Sequence, residues 1–149
     1  QADYVNKMLH KRTKIECMYV SDMTRAQETA QHITLDVPRS THRELAEFNQ
    51  IVYHDPPKDM EKFTTNIKRA RRTWKFVKSM LDKDDTTNLL VCHGNVTNYI
   101  IGRLLGLTHT TMPRIVTAHG AVTKLEIDTR VKIVYLGLLL HMPKEKITW

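Results

Sequence analysis

The sequence predicts an α/β sandwich with a mostly parallel sheet, and three observations support this. Short apolar runs at Ile15–Val20 and Leu89–Cys92 have the length and composition of buried strands. Apolar residues at helical spacing precede and follow each run. Strands that alternate with helices are typical of domains in which helices cover a mostly parallel sheet.

The first helix is predicted at the start of the chain, from apolar residues at Ala2, Val5, Met8 and Leu9. No capping residue precedes it, which is unusual for the start of a domain. A second helix follows the first strand, with Thr24 and Gln27 resembling a capping box. Residues 34–58 are predicted to be irregular, because three prolines interrupt them: Pro38, Pro56 and Pro57.

The clearest periodicity predicts a long amphipathic helix, with apolar residues at Met60, Phe63, Ile67, Ala70, Trp74, Val77 and Leu81. We interpret this stripe as core packing, with a short coiled-coil seam as the alternative. A polar loop leads to the strand Leu89–Cys92, and the next helix is expected to end at Gly106. Alternating residues on both sides of Asp128–Arg130 then predict a β-hairpin.

Composition fits one globular domain that prefers anionic partners. The chain has 149 residues and a formal net charge of +7. Much of this charge lies in the block Lys68–Lys75, which we interpret as the solvated face of the long helix. Nucleic-acid binding is not expected, because no RNP, zinc-finger or helix-turn-helix signature accompanies the block.

The two cysteines, Cys17 and Cys92, lie within apolar runs and are predicted to be buried free thiols. This favours a reducing, intracellular compartment. No apolar stretch approaches 18 residues, so no membrane span is expected. No signal peptide is visible, and the chain begins with Gln1, which would suit a protein with a further upstream segment.

Two strand-to-helix junctions carry the residues best suited to chemistry. Arg25 follows the first strand and His93 follows the second. Ligands of open α/β sheets bind at the carboxyl ends of strands, and helix N-termini there suit phosphate. Arginine can bond two phosphoryl oxygens at once. The alternatives are that Gly94 serves only the backbone and that Arg25 is a solvated helix residue.

These junctions carry a family resemblance. Ser21–Ala30 resembles the S-x-x-x-R-A-x-x-T-A element of the histidine phosphatase superfamily, and Val91–Asn95 resembles its second-histidine motif. The segments His54–Pro57 and Met142–Thr148 are similar to the branch of mitochondrial serine/threonine-protein phosphatases. The similarity runs from Gln1 to Thr148 and implies one domain over residues 1–149, folded as a three-layer, phosphoglycerate-mutase-like sandwich.

The resemblance also implies an activity. In this family a histidine of an Arg-His-Gly motif, at the end of the first strand, attacks phosphorus and becomes phosphorylated. A second histidine and two arginines hold the phosphoryl oxygens, and a carboxylic acid protonates the leaving oxygen. No metal or other cofactor is implied. The expected ligand is a phosphoprotein or another phosphomonoester, and the implied location is the mitochondrion.

Carried over by position, Arg25 matches the family's second arginine and His93 its second histidine. Glu44 is our candidate for the acid, although Leu45 stands where the family usually has a small residue. An exposed loop glutamate is the alternative interpretation of Glu44. His119 falls where the family often places a polar residue near the phosphate.

The main departure is that no Arg-His-Gly occurs in this sequence. The first strand, the nucleophile and the first arginine are therefore expected upstream, which makes the domain N-terminally incomplete. Flanking strands would then carry unpaired backbone groups, which are costly when buried. The strand could belong to a longer gene product, could have been lost with reclosure of the sheet, or could come from a homo-oligomer or protein partner.

Two functions follow. One is a phosphatase whose missing part lies outside this chain. The chain by itself would then be inactive or nearly inactive. The other is a non-catalytic pseudophosphatase that acts as a binding or scaffold module. A third and weaker interpretation is a salt-dependent phospho-ligand or nucleic-acid binder that uses the Lys68–Lys75 face.

Overall fold

The computed structural model describes residues 1–12, 14–48, 60–81, 86–108 and 115–148. Its helices are α1 (Ala2–Arg12), α2 (Thr24–Gln31), α3 (Met60–Leu81) and α4 (Gly94–Leu104). Its strands are β1 (Cys17–Ser21), β2 (Arg39–His42), β3 (Asn88–Val91), β4 (Val122–Ile127) and β5 (Val131–Leu138). Two 3-10 turns cover Arg43–Leu45 and Lys144–Lys146.

The described strands form two sheets. β1 lies at the centre of a three-stranded parallel sheet in the order β2-β1-β3. Its register pairs Val20 with Val91 on one side and Ser21 with His42 on the other. β4 and β5 form an antiparallel hairpin, as predicted. Within the described residues, no strand pairing joins this hairpin to the parallel sheet.

Helices cover both faces of the parallel sheet. Successive strand residues point to opposite sides, so alternate residues contact different helices. Met18 and Val20 enter a core cluster with residues of α1 and α2, and Leu89 and Val91 pack on the same cluster. Tyr19 and Leu90 pack instead on a second cluster formed largely by α3 and α4. The domain is therefore the expected three-layer α/β sandwich.

The long apolar stripe packs as predicted, with Ala70 and Val77 buried in the second cluster. The charged block Lys68–Lys75 contributes exposed residues on the other side of α3, with Trp74 half-buried between them. None of the helices within the described residues is long and apolar enough to cross a membrane.

Three of these predictions need correction. Residues 39–45 form β2 and a 3-10 turn, where an irregular segment was expected. β2 consists of polar residues and is largely exposed, so no apolar alternation revealed it. The capping box is wrong: Met23 is the N-cap of α2, and no side chain caps this helix. The His54–Pro57 segment lies outside the described residues.

The third correction concerns burial. β3 is half-buried at all four positions, not fully covered on both faces, and Cys92 follows the strand. Cys17 and Cys92 are free thiols of intermediate burial. They lie toward opposite ends of neighbouring parallel strands, because Cys17 pairs with Asn88. This separation prevents a disulfide between them within one chain.

Gly106 ends α4 in a left-handed conformation. Its φ is 74°, and its N–H donates to the carbonyl of Arg103 while the N–H of Leu107 donates to that of Gly102. These two bonds form a Schellman motif, which satisfies the last carbonyls of the helix. Glycine is favoured here because it has no Cβ.

Replacement of Gly106 with alanine should therefore lower the free energy of unfolding by about 1 kcal/mol. Chemical denaturation monitored by circular dichroism measures this. Gly94→Ala is the matched control, because a Cβ there would meet only Thr117 Oγ1 at 3.6 Å. Equal destabilisation by both variants would contradict the role assigned to the Gly106 conformation.

Candidate functional site

The site lies where β1 and β3 end side by side. Because the two strands are parallel and Val20 pairs with Val91, the residues that follow them meet at one edge of the sheet. Ser21 ends β1 and is fully buried. His93 is the N-cap of α4, with an extended backbone that turns its ring toward β1. Ser21 Oγ and His93 Nε2 lie 2.9 Å apart.

Arg25 reaches the same ring from the first turn of α2. Its Nε donates to His93 Nδ1 over 3.1 Å. Because Nδ1 accepts this bond, the proton of a neutral ring lies on Nε2, which donates to Ser21 Oγ. Ser21 Oγ also accepts from the backbone N–H of Met23. One chain of hydrogen bonds therefore joins the end of β1, the start of α2 and the start of α4.

His93 is neutral in this arrangement. Burial and the Arg25 guanidinium lower its pKa from 6.5 to about 4, against a smaller opposing effect of Asp22. The cause is physical: a buried imidazolium loses hydration, and a neighbouring cation disfavours a second positive charge. The ring therefore offers a fixed hydrogen-bond geometry at neutral pH, without a charge of its own.

Glu47 brings a carboxylate to the same place. Its Oε2 lies 3.7 Å from Arg25 Nη2 and 3.9 Å from His93 Nδ1. Since His93 is neutral, the second contact is not an ion pair. Burial raises the pKa of Glu47, and the Arg25 guanidinium opposes that rise. Its Oε1 is buried and makes no hydrogen bond within the described part of the chain.

Apolar neighbours hold Glu47 in position. Leu45, Ala46 and Phe48 are all buried, so the backbone on both sides of the carboxylate is anchored in the core. Asn95, in the first turn of α4, donates from Nδ2 to the Phe48 carbonyl over 3.0 Å. The segment is thereby fixed against the N-terminus of α4, beside His93.

Of the residues chosen from the sequence, Arg25 and His93 are brought together, whereas Glu44 lies elsewhere. The Glu44 carboxylate is 3.9 Å from His42 Nδ1. Its carbonyl accepts a hydrogen bond from the buried Thr73 hydroxyl of α3. Within the described residues, no hydrogen bond or ion pair joins Glu44 to Arg25 or His93.

No hydrogen bond or ion pair among the described residues joins His119 to Arg25 or His93. His119 is exposed, and its Nδ1 lies 3.1 Å from Thr148 Oγ1, while its backbone N–H donates to the Thr148 carbonyl. It therefore holds the carboxyl-terminal segment in the described structure.

Glu47 is the residue that reasoning from sequence missed. The signal available was a single acidic residue within an otherwise apolar segment, Leu45–Phe48. An isolated acid flanked by buried residues is held rigidly, and its pKa is raised by the same burial. The choice of Glu44 instead followed from the motif position alone.

The arrangement suits a tetrahedral oxyanion. The Arg25 side chain is 56% exposed, so a solute can reach its guanidinium, although Nη2 also lies 3.7 Å from Glu47 Oε2. The N-terminus of α4, with its positive dipole end, begins at Gly94 beside the His93 ring. Within the described residues, no group of three His, Cys, Asp or Glu side chains could hold a metal ion.

Fold and site together define the class of protein: a three-layer α/β domain with an arginine and a histidine converging at the carboxyl ends of parallel strands. The family model of the histidine phosphatase superfamily (branch 1) matches residues 1–62 and 49–136. The chain therefore belongs to the histidine phosphatase superfamily.

Two curated relatives carry the same name, mitochondrial serine/threonine-protein phosphatase Pgam5. The chain is 30% identical to the protein of Caenorhabditis briggsae and 30% identical to that of Drosophila mojavensis. These alignments cover 100% and 99% of this chain but only 58% and 56% of the relatives. The chain thus spans little more than half the length of either.

Solved structures confirm the fold. Phosphoglycerate mutase of Plasmodium falciparum matches with a TM-score of 0.69 and 27% identity, over 99% of this chain and 89% of that one. A mycobacterial glucosyl-3-phosphoglycerate phosphatase in complex with inorganic phosphate gives 0.71 at 16% identity, over 95% and 86% of the two chains. Alpha-ribazole phosphatase of Shigella flexneri gives 0.70 at 18%, over 92% and 80%.

The lowered pKa of His93 predicts loss of stability in acid. Between pH 6.5 and about 4 the unfolded chain binds a proton that the folded chain does not. The free energy of unfolding should therefore fall by up to about 3 kcal/mol as pH drops through this window. Urea denaturation from pH 7 to pH 4 measures it.

His93→Gln should lose most of this acid-dependent decrease, because glutamine does not titrate. His10→Gln, at an exposed histidine of α1, is the matched control and should keep it. A decrease of the same size in all three proteins would show that His93 is not buried in its neutral form.

Proposed function

We propose that this chain is the phosphate-binding part of a serine/threonine-protein phosphatase domain, in which Arg25 and His93 hold the phosphoryl group. The observation that carries the proposal is the hydrogen bond between Arg25 Nε and His93 Nδ1 at the strand ends. Support also comes from the family match and from the names of the two curated relatives.

Each side chain has a distinct part in this proposal. Arg25 contributes a permanent positive charge and outward N–H donors to the phosphoryl oxygens. A phosphate dianion next to His93 favours protonation of the ring, because an opposite charge stabilises the charged form. The added proton lies on Nδ1, so the Arg25 Nε–H then turns from the ring to a phosphoryl oxygen. The developing negative charge on the oxygens is then met by two cationic groups.

Glu47 takes the part first considered for Glu44, the acid that protonates the leaving oxygen. Its pKa is raised by burial, so the proton needed for donation is held at higher pH than on an exposed carboxyl group. Its Oε2 lies 3.7 Å from Arg25 Nη2, which supports a position beside a phosphoryl group held by Arg25. Glu44 remains the alternative acid.

The nucleophile is not supplied by this sequence, because Arg-His-Gly occurs nowhere in it. The chain alone should therefore bind phosphate and hydrolyse little or none. The alternative function, a non-catalytic pseudophosphatase that acts as a binding module, is favoured by the same observation. Substrate class and a mitochondrial location rest on the names of the relatives.

A further strand, from a second copy or another polypeptide segment, is proposed to complete the sheet between β3 and the hairpin. Supporting this, Leu89 and Val91 of β3 pack on the same cluster as Val122 of β4 and Leu138 of β5. Nevertheless, no backbone hydrogen bonds between strands join the two sheets within the described residues. Strand addition would pair the open edge of β3.

Inorganic phosphate binding tests the site directly. Arg25→Ala should weaken binding at least tenfold, because it removes the charged donors nearest His93. Isothermal titration calorimetry at pH 7 measures the affinity. Arg130→Ala, in the exposed hairpin turn, is the matched control and should bind as the parent chain does. Unchanged affinity in Arg25→Ala would remove the basis of the proposal.

Hydrolysis tests the missing nucleophile. The chain should release no phosphate above background from p-nitrophenyl phosphate or a phosphoserine peptide. The His93→Ala variant should give the same result. Colorimetric phosphate release measures this. Turnover that His93→Ala abolishes would show that the chain is catalytic without an Arg-His-Gly histidine.

A further inference from the structure

A second cationic surface lies in a groove between α3 and α4, with a volume of about 420 Å³. Arg71, Trp74, Lys75 and Lys78 line it from α3, and Tyr99 and Arg103 from α4. The α3 residues recur at steps of three, one and three, so they occupy one side of that helix. We call this set the α3–α4 groove. Its volume falls in the range of small-molecule sites.

The charge of the α3–α4 groove is entirely positive. Four of its six lining residues are Arg or Lys, and none is acidic. In the part of the chain that the structure describes, no ion pair joins any of these four cations to a carboxylate. Arg71, Lys75 and Lys78 lie along seven residue steps of helix, or about 10 Å. These like charges repel one another when the groove is empty, and their arrangement in a row favours binding of an extended anion.

Arg103 gives a second and independent indication of a ligand. Its guanidinium lies over the Trp74 ring, 5.4 Å from the ring centroid, which fixes the side chain in the groove. Its Nε is buried and makes no hydrogen bond within the described residues. A buried donor without an acceptor is costly, and a shift of the Arg103 side chain toward an anion in the groove would give this N–H an acceptor.

The α3–α4 groove is separate from the phosphatase site. His93 caps the N-terminus of α4, whereas Arg103 lies in the last turn of the same helix. Ten residues of helix separate them, or about 15 Å. Arg25 and Glu47, which form the first site with His93, do not line the groove.

We propose that the α3–α4 groove binds a chain of phosphate groups, either as free inorganic polyphosphate or as the tail of a nucleoside triphosphate. The flexible side chains of Arg71, Lys75 and Lys78 can converge on the phosphates of one chain, and Arg103 donates from the opposite helix. Lysine and arginine bind phosphate oxygens through charge-assisted hydrogen bonds. In the nucleotide case, the planar base packs on the aromatic lining.

Tryptophan fluorescence provides the test, because the chain has two tryptophans, Trp74 and Trp149. In a Trp149→Phe background only Trp74, within the groove, emits. Tripolyphosphate and ATP are titrated separately at 150 mM salt, with calorimetry as a second measurement. The Trp74 signal is expected to saturate at one equivalent, with at least tenfold weaker affinity in the double variant Lys75→Gln/Arg103→Gln. Calorimetry is carried out on the Arg25→Ala variant, which lacks the phosphatase site, and should give the same single equivalent.

Two controls separate this proposal from simpler explanations. Arg72→Gln removes an exposed charge one position from Arg71 but outside the groove, and should leave affinity unchanged. Arg25→Ala should also leave it unchanged, because the phosphatase site is separate. Thermal unfolding of each variant confirms that these surface replacements leave the fold intact.

Tighter binding of ATP than of tripolyphosphate identifies the nucleotide as ligand, and equal or weaker binding identifies the free polyphosphate. Absence of saturable binding overturns the proposal. Equal weakening of the affinity by Arg72→Gln also overturns it, because it indicates diffuse electrostatic attraction. Loss of binding in Arg25→Ala alone overturns it as well, because the anion then binds in the phosphatase site. The proposal is also contradicted if the groove binds single-stranded RNA or an acidic peptide but does not bind tripolyphosphate.

Discussion

The hydrogen-bonded chain Ser21–His93–Arg25 is the interaction on which the candidate site depends. It requires three things at once: β1 and β3 in register, α2 starting soon after β1, and α4 starting directly after His93. Each is a consequence of the parallel sheet, which places successive βα junctions at the same edge. The ring of His93 is thereby fixed in one tautomer, with both nitrogens occupied.

The charge balance of the site follows from this arrangement. Arg25 is permanently charged, whereas burial keeps His93 neutral and raises the pKa of Glu47. With Glu47 ionised the three groups sum to about zero charge, and with Glu47 protonated they sum to +1. Binding of a phosphate dianion favours the more positive states, so we expect phosphate uptake to be coupled to proton uptake.

The sequence predicted the features that leave a periodic or motif signal. The long helix α3, the hairpin, and the convergence of Arg25 and His93 were all available from apolar spacing and from two strand-to-helix junctions. β2 left no such signal, because it is a polar strand that, among the described residues, pairs with β1 alone. Glu47 was missed because its position depends on the burial of its neighbours, which a motif does not report.

The α3–α4 groove illustrates the same limit. Its cations were visible as a charge block, and a solvated helix face was the reasonable interpretation. Only the packing of α4 against α3 places Arg103 over Trp74 and opposite Lys75. Which charges of an amphipathic helix face a neighbour depends on the helix crossing, and spacing along one helix does not determine that crossing.

The protonation of His93 is the most direct test of the account. Nitrogen-15 NMR of the histidine side chains distinguishes the two neutral tautomers from the imidazolium cation, and His93→Gln identifies the signal. At pH 6, without phosphate, the account predicts a neutral ring with its proton on Nε2 and an unprotonated Nδ1 that accepts from Arg25. An imidazolium at that pH, or a proton on Nδ1, would contradict it.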